Sequence, residues 1–184
     1  MPRPNLDHPT LPRLKARFAD SGLKATEFRG QTALVVPPAL LHEIMRFLRD
    51  DEPCQYDFLS DVTAVDYLGY PAAMPGRFAV VYILSSTIHN RRLVVKTYLD
   101  PSADTSGNAD DPALAIDSVT DLWPGAEWPE REVYDMFGIR FANHPDLRRI
   151  LLWRDYPAFP LRKDYPLRGR GEREQYKVVQ RDDA

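Results

Sequence analysis

The sequence predicts an α+β fold: a two-layer domain in which helices pack on a mainly antiparallel sheet, followed by an extended C-terminal tail. Three observations predict it. Segments 62–68, 78–86 and 92–99 are dominated by β-branched and aromatic residues. Two segments before them carry apolar residues at helical spacing. After residue 144 neither period persists, and Pro145, Pro157, Pro160 and Pro166 forbid any long helix. The expected division is residues 1–144 as the α+β domain and 145–184 as an extended partner-binding tail.

Thr10 to Ala19 reads as a short helix, with Thr10 as its N-cap, Leu11, Leu14 and Phe18 on one face, and Gly22 closing it. Two short strands, Ala25 to Phe28 and Thr32 to Val36, turn at Gly30. Pro37 and Pro38 suit the start of a second helix, because proline's missing N–H has no intrahelical partner there. Leu40, Leu41, Ile44 and Leu48 supply that helix's apolar stripe; His42, Glu43, Arg46 and Arg49 face away. In the third middle strand Leu93, Val95 and Leu99 alternate with Arg92, Lys96 and Tyr98, which gives it one buried face. The short Thr87–Arg91 link makes it an antiparallel hairpin with its predecessor. Pro101 to Pro112 is a polar surface loop. Ile116 to Leu122 reads as a helix stopped by Trp123-Pro124-Gly125. Pro129 to Phe137 is a compact helix with Pro129 in its first position, Glu130 and Glu132 at its positive end, and Gly138 as its stop.

Composition narrows the function. A chain of 184 residues, 43% hydrophobic and 28% charged, is ordinary for a soluble globular protein. Its net charge of −3 excludes a generally basic nucleic-acid binder. The apolar run Ala79 to Leu84 falls far short of the ~20 residues of a spanning helix. The N-terminal residues lack the apolar core of a secretory signal, and one cysteine, Cys54, excludes a disulfide framework; an intracellular location is expected.

The chemistry of a cofactor site is missing from the motifs. No GxGxxG or GxxxxGK[ST] pattern is present, and one cysteine cannot supply the thiolates of an iron–sulfur cluster or structural zinc. Glu130, Glu132, Asp135, His144 and Asp146 form the one candidate acid/base or metal cluster. Helix N-terminal acids, an Arg131–Asp135 pair and a turn at His144-Pro145-Asp146 explain the same residues without catalysis. Cys54 has no neighbouring base in sequence to activate it.

The tail reverses the charge balance. Residues 145–184 hold 10 Lys/Arg against 7 Asp/Glu, whereas residues 1–144 hold 14 against 20. The tail also contains Trp153, Tyr156, Phe159, Tyr165 and Tyr176, which disordered linkers usually lack. Ordering a residue costs about 1–2 kcal/mol of backbone entropy, so such a segment must recover that cost against another surface. Aromatic and arginine anchors suit a protein partner.

The stretch Glu130 to Leu167, EREVYDMFGIRFANHPDLRRILLWRDYPAFPLRKDYPL, resembles the 30-kDa subunit family of respiratory complex I, the proton-translocating NADH:quinone oxidoreductase. EREVYDMFGI with HPDLRRIL, and PLRKDYPL, carry the likeness; FLSDVTAVDYL, RFAVVYIL and TDLWPGAEW add to it. The resemblance implies an extrinsic structural subunit of the hydrophilic arm with no catalytic site and no cofactor of its own. FMN, iron–sulfur clusters and quinone would belong to other subunits. It implies a place beside the large, 49-kDa-type quinone-site subunit, peripheral to the cytoplasmic face of a bacterial inner membrane or, in an organelle, the matrix side. An equivalent subunit of a ferredoxin-linked or hydrogenase complex is the alternative. The expected interface residues are Arg148, Arg149, Trp153, Leu161, Arg162, Lys163, Asp164 and Tyr165. Alanine at Arg162 and Lys163 is expected to weaken association yet leave the domain folded. The family usually has glycine near Ala158 and often proline at Trp153, so a turn needing positive φ would strain residues 153–159.

Overall fold

The computed structural model describes residues 6–105 and 111–172. Tyr176 and the rest of the expected tail beyond residue 172 lie outside the described residues. Five strands form one sheet in the order β1-β2-β5-β4-β3. These are β1 (Lys24–Phe28), β2 (Gln31–Val35), β3 (Phe58–Asp66), β4 (Phe78–Ser86) and β5 (Arg91–Leu99). All neighbours are antiparallel except β2 and β5, which run parallel with Ala33 opposite Val94. That parallel step requires a crossover, and α2 (Leu41–Asp50) lies within it. The β1–β2 turn places Arg29 and Gly30 both at positive φ, the twist-matched form of a two-residue hairpin.

The period-2 pattern decides which face of the sheet is inside. Phe78, Val80, Tyr82 and Leu84 of β4 and Leu93, Val95 and Leu99 of β5 are buried. They meet Leu14 of α1 (Thr10–Arg17), Leu41, Ile44, Met45 and Leu48 of α2, and Val133 and Met136 of α3 (Glu127–Phe137). Each fully buried Leu, Ile or Phe contributes roughly 1.5–3 kcal/mol relative to its exposed state. This is the two-layer α+β arrangement the sequence predicts.

Local details differ from expectation, each for a physical reason. Pro9 takes the N-cap position of α1, and Thr10 lies inside the helix, where its hydroxyl meets the buried Tyr56 hydroxyl at 2.8 Å. Residues 116–122 are not helical. Ala115–Asp117 form strand β6, parallel to β7 (Arg140–Ala142), and tertiary pairing overrides the local propensity. Helix α3 begins at Glu127, with Pro129 inside its first turn, where proline's missing N–H costs nothing. It ends at Gly138, whose φ of +72° continues no right-handed helix. Ala158 is buried and is not among the positive-φ residues, so the strained turn anticipated there does not occur. Residues 145–172 contain no α-helix or strand, yet they are fastened across α3 and one end of the sheet.

Candidate partner interface

Two carboxylates fasten this strap. Asp135, on the inner side of α3, is fully buried. Its Oδ2 accepts the successive backbone N–H groups of Ile150 (3.0 Å), Leu151 (2.7 Å) and Leu152 (3.0 Å). Its Oδ1 accepts Arg149 Nη1 at 2.7 Å. Burial alone would raise this carboxyl's pKa; the Arg149 bond and the three N–H donors more than offset that and hold it below the ordinary carboxylate range. The other arm of the Arg149 fork donates to the carbonyls of Tyr156 (2.9 Å) and Ala158 (3.1 Å). One guanidinium thereby fixes the path of the chain from Arg149 to Ala158.

Asp66, at the end of β3, does the same for the second half of the strap. Its carboxylate accepts Arg77 Nε (3.0 Å) and Nη2 (2.9 Å) and the backbone N–H of Lys163 (2.8 Å). Arg77 in turn pairs with Asp164 at 3.1 Å. Between these two fastenings Arg162 runs inward. It donates from Nε to the Phe137 carbonyl at 2.6 Å, and its guanidinium lies 4.4 Å from the Phe159 ring centre.

Several residues expected at the interface make contacts within this chain. Arg162, 3% exposed, and Arg149 face this chain's own core. Asp164 belongs to the Arg77 ion pair, and Tyr165 bonds the Tyr156 hydroxyl and Glu172. Removing Arg162 is therefore expected to weaken the fold, where the sequence reading expects the domain to stay folded. Arg148, Leu161 and Lys163 do face outward, and Trp153 is half-buried, edge-on to Tyr156 with ring centres 4.4 Å apart. Sequence reading missed Leu151 and Leu167. Leu151, Leu161 and Leu167 are 62%, 52% and 104% exposed. No periodicity marks them, because their direction is set by the fastenings between them. Beside them lies a groove of about 560 Å³ lined by Trp153, Tyr156, Pro160 and Tyr165.

The five-residue acid and imidazole set is not one cluster. Glu132 is exposed, Asp135 serves the strap, and Asp146 meets Arg148 and Arg131. Arg131 pairs with Glu127 rather than with Asp135. Cys54 is buried, and that burial pushes its thiol up to about 12, away from nucleophilic use.

Glu130 has the most unusual surroundings. It is fully buried, accepting Ser118 Oγ at 2.6 Å and the Val119 N–H at 2.9 Å, with His144 Nε2 4.0 Å away. Burial pushes its carboxyl up to about 7 despite those two hydrogen bonds. The folded pKa lies above the ordinary value of 4.5, so ionisation is harder in the fold than in the unfolded chain. Stability is expected to fall as pH rises from about 4.5 to about 7, by on the order of 3 kcal/mol in all. Urea titrations at about pH 5 and pH 8 check this. Wild type should lose stability over that window relative to Glu130→Gln, and an identical pH dependence in both proteins would remove Glu130 as the source.

Known proteins share this architecture and sequence. A profile of the family described as respiratory-chain NADH dehydrogenase, 30 Kd subunit, matches residues 34–171. The C subunit of the NADH-quinone oxidoreductase of Citrifermentans bemidjiense is 49% identical over 165 residues, spanning 90% of this chain and 92% of that protein. Its counterpart from Geobacter sulfurreducens is 47% identical over the same shares. Among solved structures, a trypsin-resistant fragment of Nqo5 superposes with a TM-score of 0.61 at 34% identity, covering 74% of this chain and 98% of the fragment. A chain of an archaeal membrane-bound sulfane sulfur reductase shares the fold, with a TM-score of 0.63 at 22% identity over 92% of each chain. With the profile matching most of its length and relatives close to half identical, the chain belongs to the family of the 30-kDa subunit of the respiratory-chain NADH dehydrogenase.

Proposed function

We propose that the chain is an extrinsic structural subunit in the hydrophilic arm of an NADH:quinone oxidoreductase. It braces the arm and carries no flavin, iron–sulfur cluster or quinone of its own; those belong to neighbouring subunits that pass electrons from NADH to quinone. Its strap docks on the large, 49-kDa-type quinone-site subunit, and it sits on the cytoplasmic face of the membrane, held there through the assembly. No described helix is long and apolar enough to cross a membrane. The names carried by its relatives, each the C subunit of an NADH-quinone oxidoreductase, support the complex.

One observation carries the docking surface. Leu151, Leu161 and Leu167 project from a strap whose backbone is already fixed by Asp135 and Asp66. Fixed apolar side chains bind without a further ordering cost, and burying each in a partner is worth roughly 1.5–3 kcal/mol. The test uses the tagged full chain expressed in its native host, drawn from membranes in mild detergent. Wild type should retain flavin and iron–sulfur subunits together with NADH:quinone activity. The triple change Leu151→Asp, Leu161→Asp and Leu167→Asp should cut that retention at least tenfold without altering the circular dichroism of the purified chain. Retention of a hydrogenase or ferredoxin-linked set would change the electron donor. Recovery of wild type alone would overturn the subunit role, and undiminished retention of the triple variant would overturn the strap as the docking surface.

A further inference from the structure

Glu130 is a buried carboxyl that the strap does not use, and no positive charge stands against it. Its side chain and that of His144 are both fully buried, with Nε2 4.0 Å from Oε2, too long for a hydrogen bond. The His144 ring is committed elsewhere: its Nδ1 accepts the Asp146 N–H at 3.0 Å, and its Nε2–H donates to the Glu127 carbonyl at 3.1 Å. Those are the two bonds of a neutral imidazole, so the ring brings no charge to Glu130. Among the described residues no lysine or arginine pairs with Glu130.

The surrounding elements add no cation. Tyr82 of β4 is fully buried; burial first and the Glu130 charge second hold its phenol well above its ordinary value. Asp117 of β6 and Asp121 just after it are like charges. His42 and Arg46 of α2 pair with Asp121, at 2.9 Å and 3.7 Å, and Arg49 pairs with Asp50. On β3, Asp66 is held by Arg77 and Asp61 is exposed. Arg131 of α3 is engaged by Glu127 and Asp146, and Arg140 of β7 is exposed.

Ser118 connects this carboxyl to the surface. Its hydroxyl lies 2.6 Å from Glu130 Oε2 and 2.8 Å from Thr120 Oγ1, and it accepts the Thr120 N–H at 3.1 Å. Ser118 also lines a groove of about 300 Å³ with His42, Asp117, Asp121 and Asn143. Asp121 and Asn143 are exposed, and Thr120 is half-buried. A serine oxygen has one proton and two lone pairs, and one lone pair takes the Thr120 N–H. With Glu130 ionised, Ser118 donates to Oε2 and accepts the Thr120 hydroxyl. With Glu130 protonated, the carboxyl donates to Ser118, Ser118 donates to Thr120, and the Thr120 hydroxyl turns to solvent. The Val119 N–H keeps Oε1 as its acceptor in both states. Neither arrangement leaves a buried group unpaired, so the fold accommodates both.

We propose that Glu130, Ser118 and Thr120 form a proton-linked switch: the buried carboxyl exchanges its proton through the Ser118 hydroxyl, and its charge sets which way the Thr120 hydroxyl points. On release the carboxyl proton passes to Ser118, the Ser118 proton to Thr120, and the Thr120 proton to water. One proton leaves, both hydroxyls are restored, and each now points inward. The groove thereby loses an outward donor and gains a negative charge beneath Asp117 and Asp121. Burial without a counter-charge places the transition near 7. The switch does not depend on the subunit role proposed above.

The test is an NMR titration of the isotope-labelled full chain from about pH 5 to about pH 9, a range that brackets the transition. The Glu130 carboxyl carbon should titrate in one step near 7, the Thr120 side-chain signals should follow with the same midpoint, and the Val119 amide should stay protected throughout. Glu130→Gln should abolish the Thr120 response. Ser118→Ala should weaken the Glu130 acid at least threefold, because the hydrogen bond to the charged form is the stronger one. It should also leave the Thr120 signals constant while the carboxyl still titrates. A Glu130 midpoint near the ordinary 4.5 overturns the switch. Thr120 signals that stay constant in wild type, or still follow Glu130 in Ser118→Ala, overturn the relay. Loss of Val119 protection in step with the titration would mean that the proton leaves by opening of the fold, which overturns it as well.

Discussion

Replacing Asp135 with alanine is expected to lower the unfolding free energy by about 3–5 kcal/mol and to release the strap from α3. The reason lies in how many groups share one carboxylate. Three consecutive N–H donors and one guanidinium converge on it, and Arg149 is itself largely buried. Without Asp135 the cation keeps its carbonyl partners but loses its counter-charge, and three donors lose their acceptor at once. An unmade buried hydrogen bond costs more than a made one contributes, because the group is taken from water and receives nothing back.

The consequence is measurable in two ways. For a domain of this size each kcal/mol moves the melting temperature by roughly 2–4 °C, so a fall on the order of 10 °C is expected. Trypsin should also cut sooner at Arg154 and Arg168, which are exposed residues of the strap. A variant with wild-type melting and wild-type cleavage would show that the strap is held by something other than this carboxylate. Because the exposed leucines depend on the strap's path, the same variant should assemble poorly although Asp135 touches no partner. That separates it from the leucine variants, which should assemble poorly while melting normally.

What the sequence discloses and what it hides divide along physical lines. The strands and α2 are legible because burial on one face imposes a period on consecutive residues, as in Leu93, Val95 and Leu99 or in Leu41, Ile44 and Leu48. The end of α3 is legible because only glycine adopts the backbone at position 138 without strain. Residues 115–117 are hidden because a three-residue strand has no period to show, and its partner is 25 residues further on. The strap is half legible. Its aromatics and prolines announce that it must lie against a surface, and the surface turns out to include this chain's own. Arg162 and Leu161 are adjacent in a segment with no repeating geometry, so nothing in their order says which faces inward. Asp66, Arg77 and Asp164 meet from three distant places, and no spacing rule relates them.

Gly138→Ala tests the inward half of that division. At φ +72° an alanine costs about 1–2 kcal/mol in backbone strain alone. Its Cβ would also stand 2.5 Å from Arg162 Nη2 and 2.7 Å from the Phe159 ring, and neither has room to retreat, since both are buried between α3 and the sheet. Overpacking of this kind adds about 1–3 kcal/mol, so a total loss of roughly 2–5 kcal/mol is expected in urea denaturation. Arg162→Ala should be destabilising too, because it removes the bond to the Phe137 carbonyl and the packing on Phe159. The two losses should not add. With the guanidinium gone, the new methyl group meets Phe159 alone, and the double variant should be at least about 1 kcal/mol more stable than the sum predicts. Strict additivity would mean that Arg162 and Gly138 do not meet in solution, and that the strap's second half crosses α3 by another path. Coupling of the expected sign would place Arg162 inside the fold and leave the outward leucines as the part of the strap available to a partner.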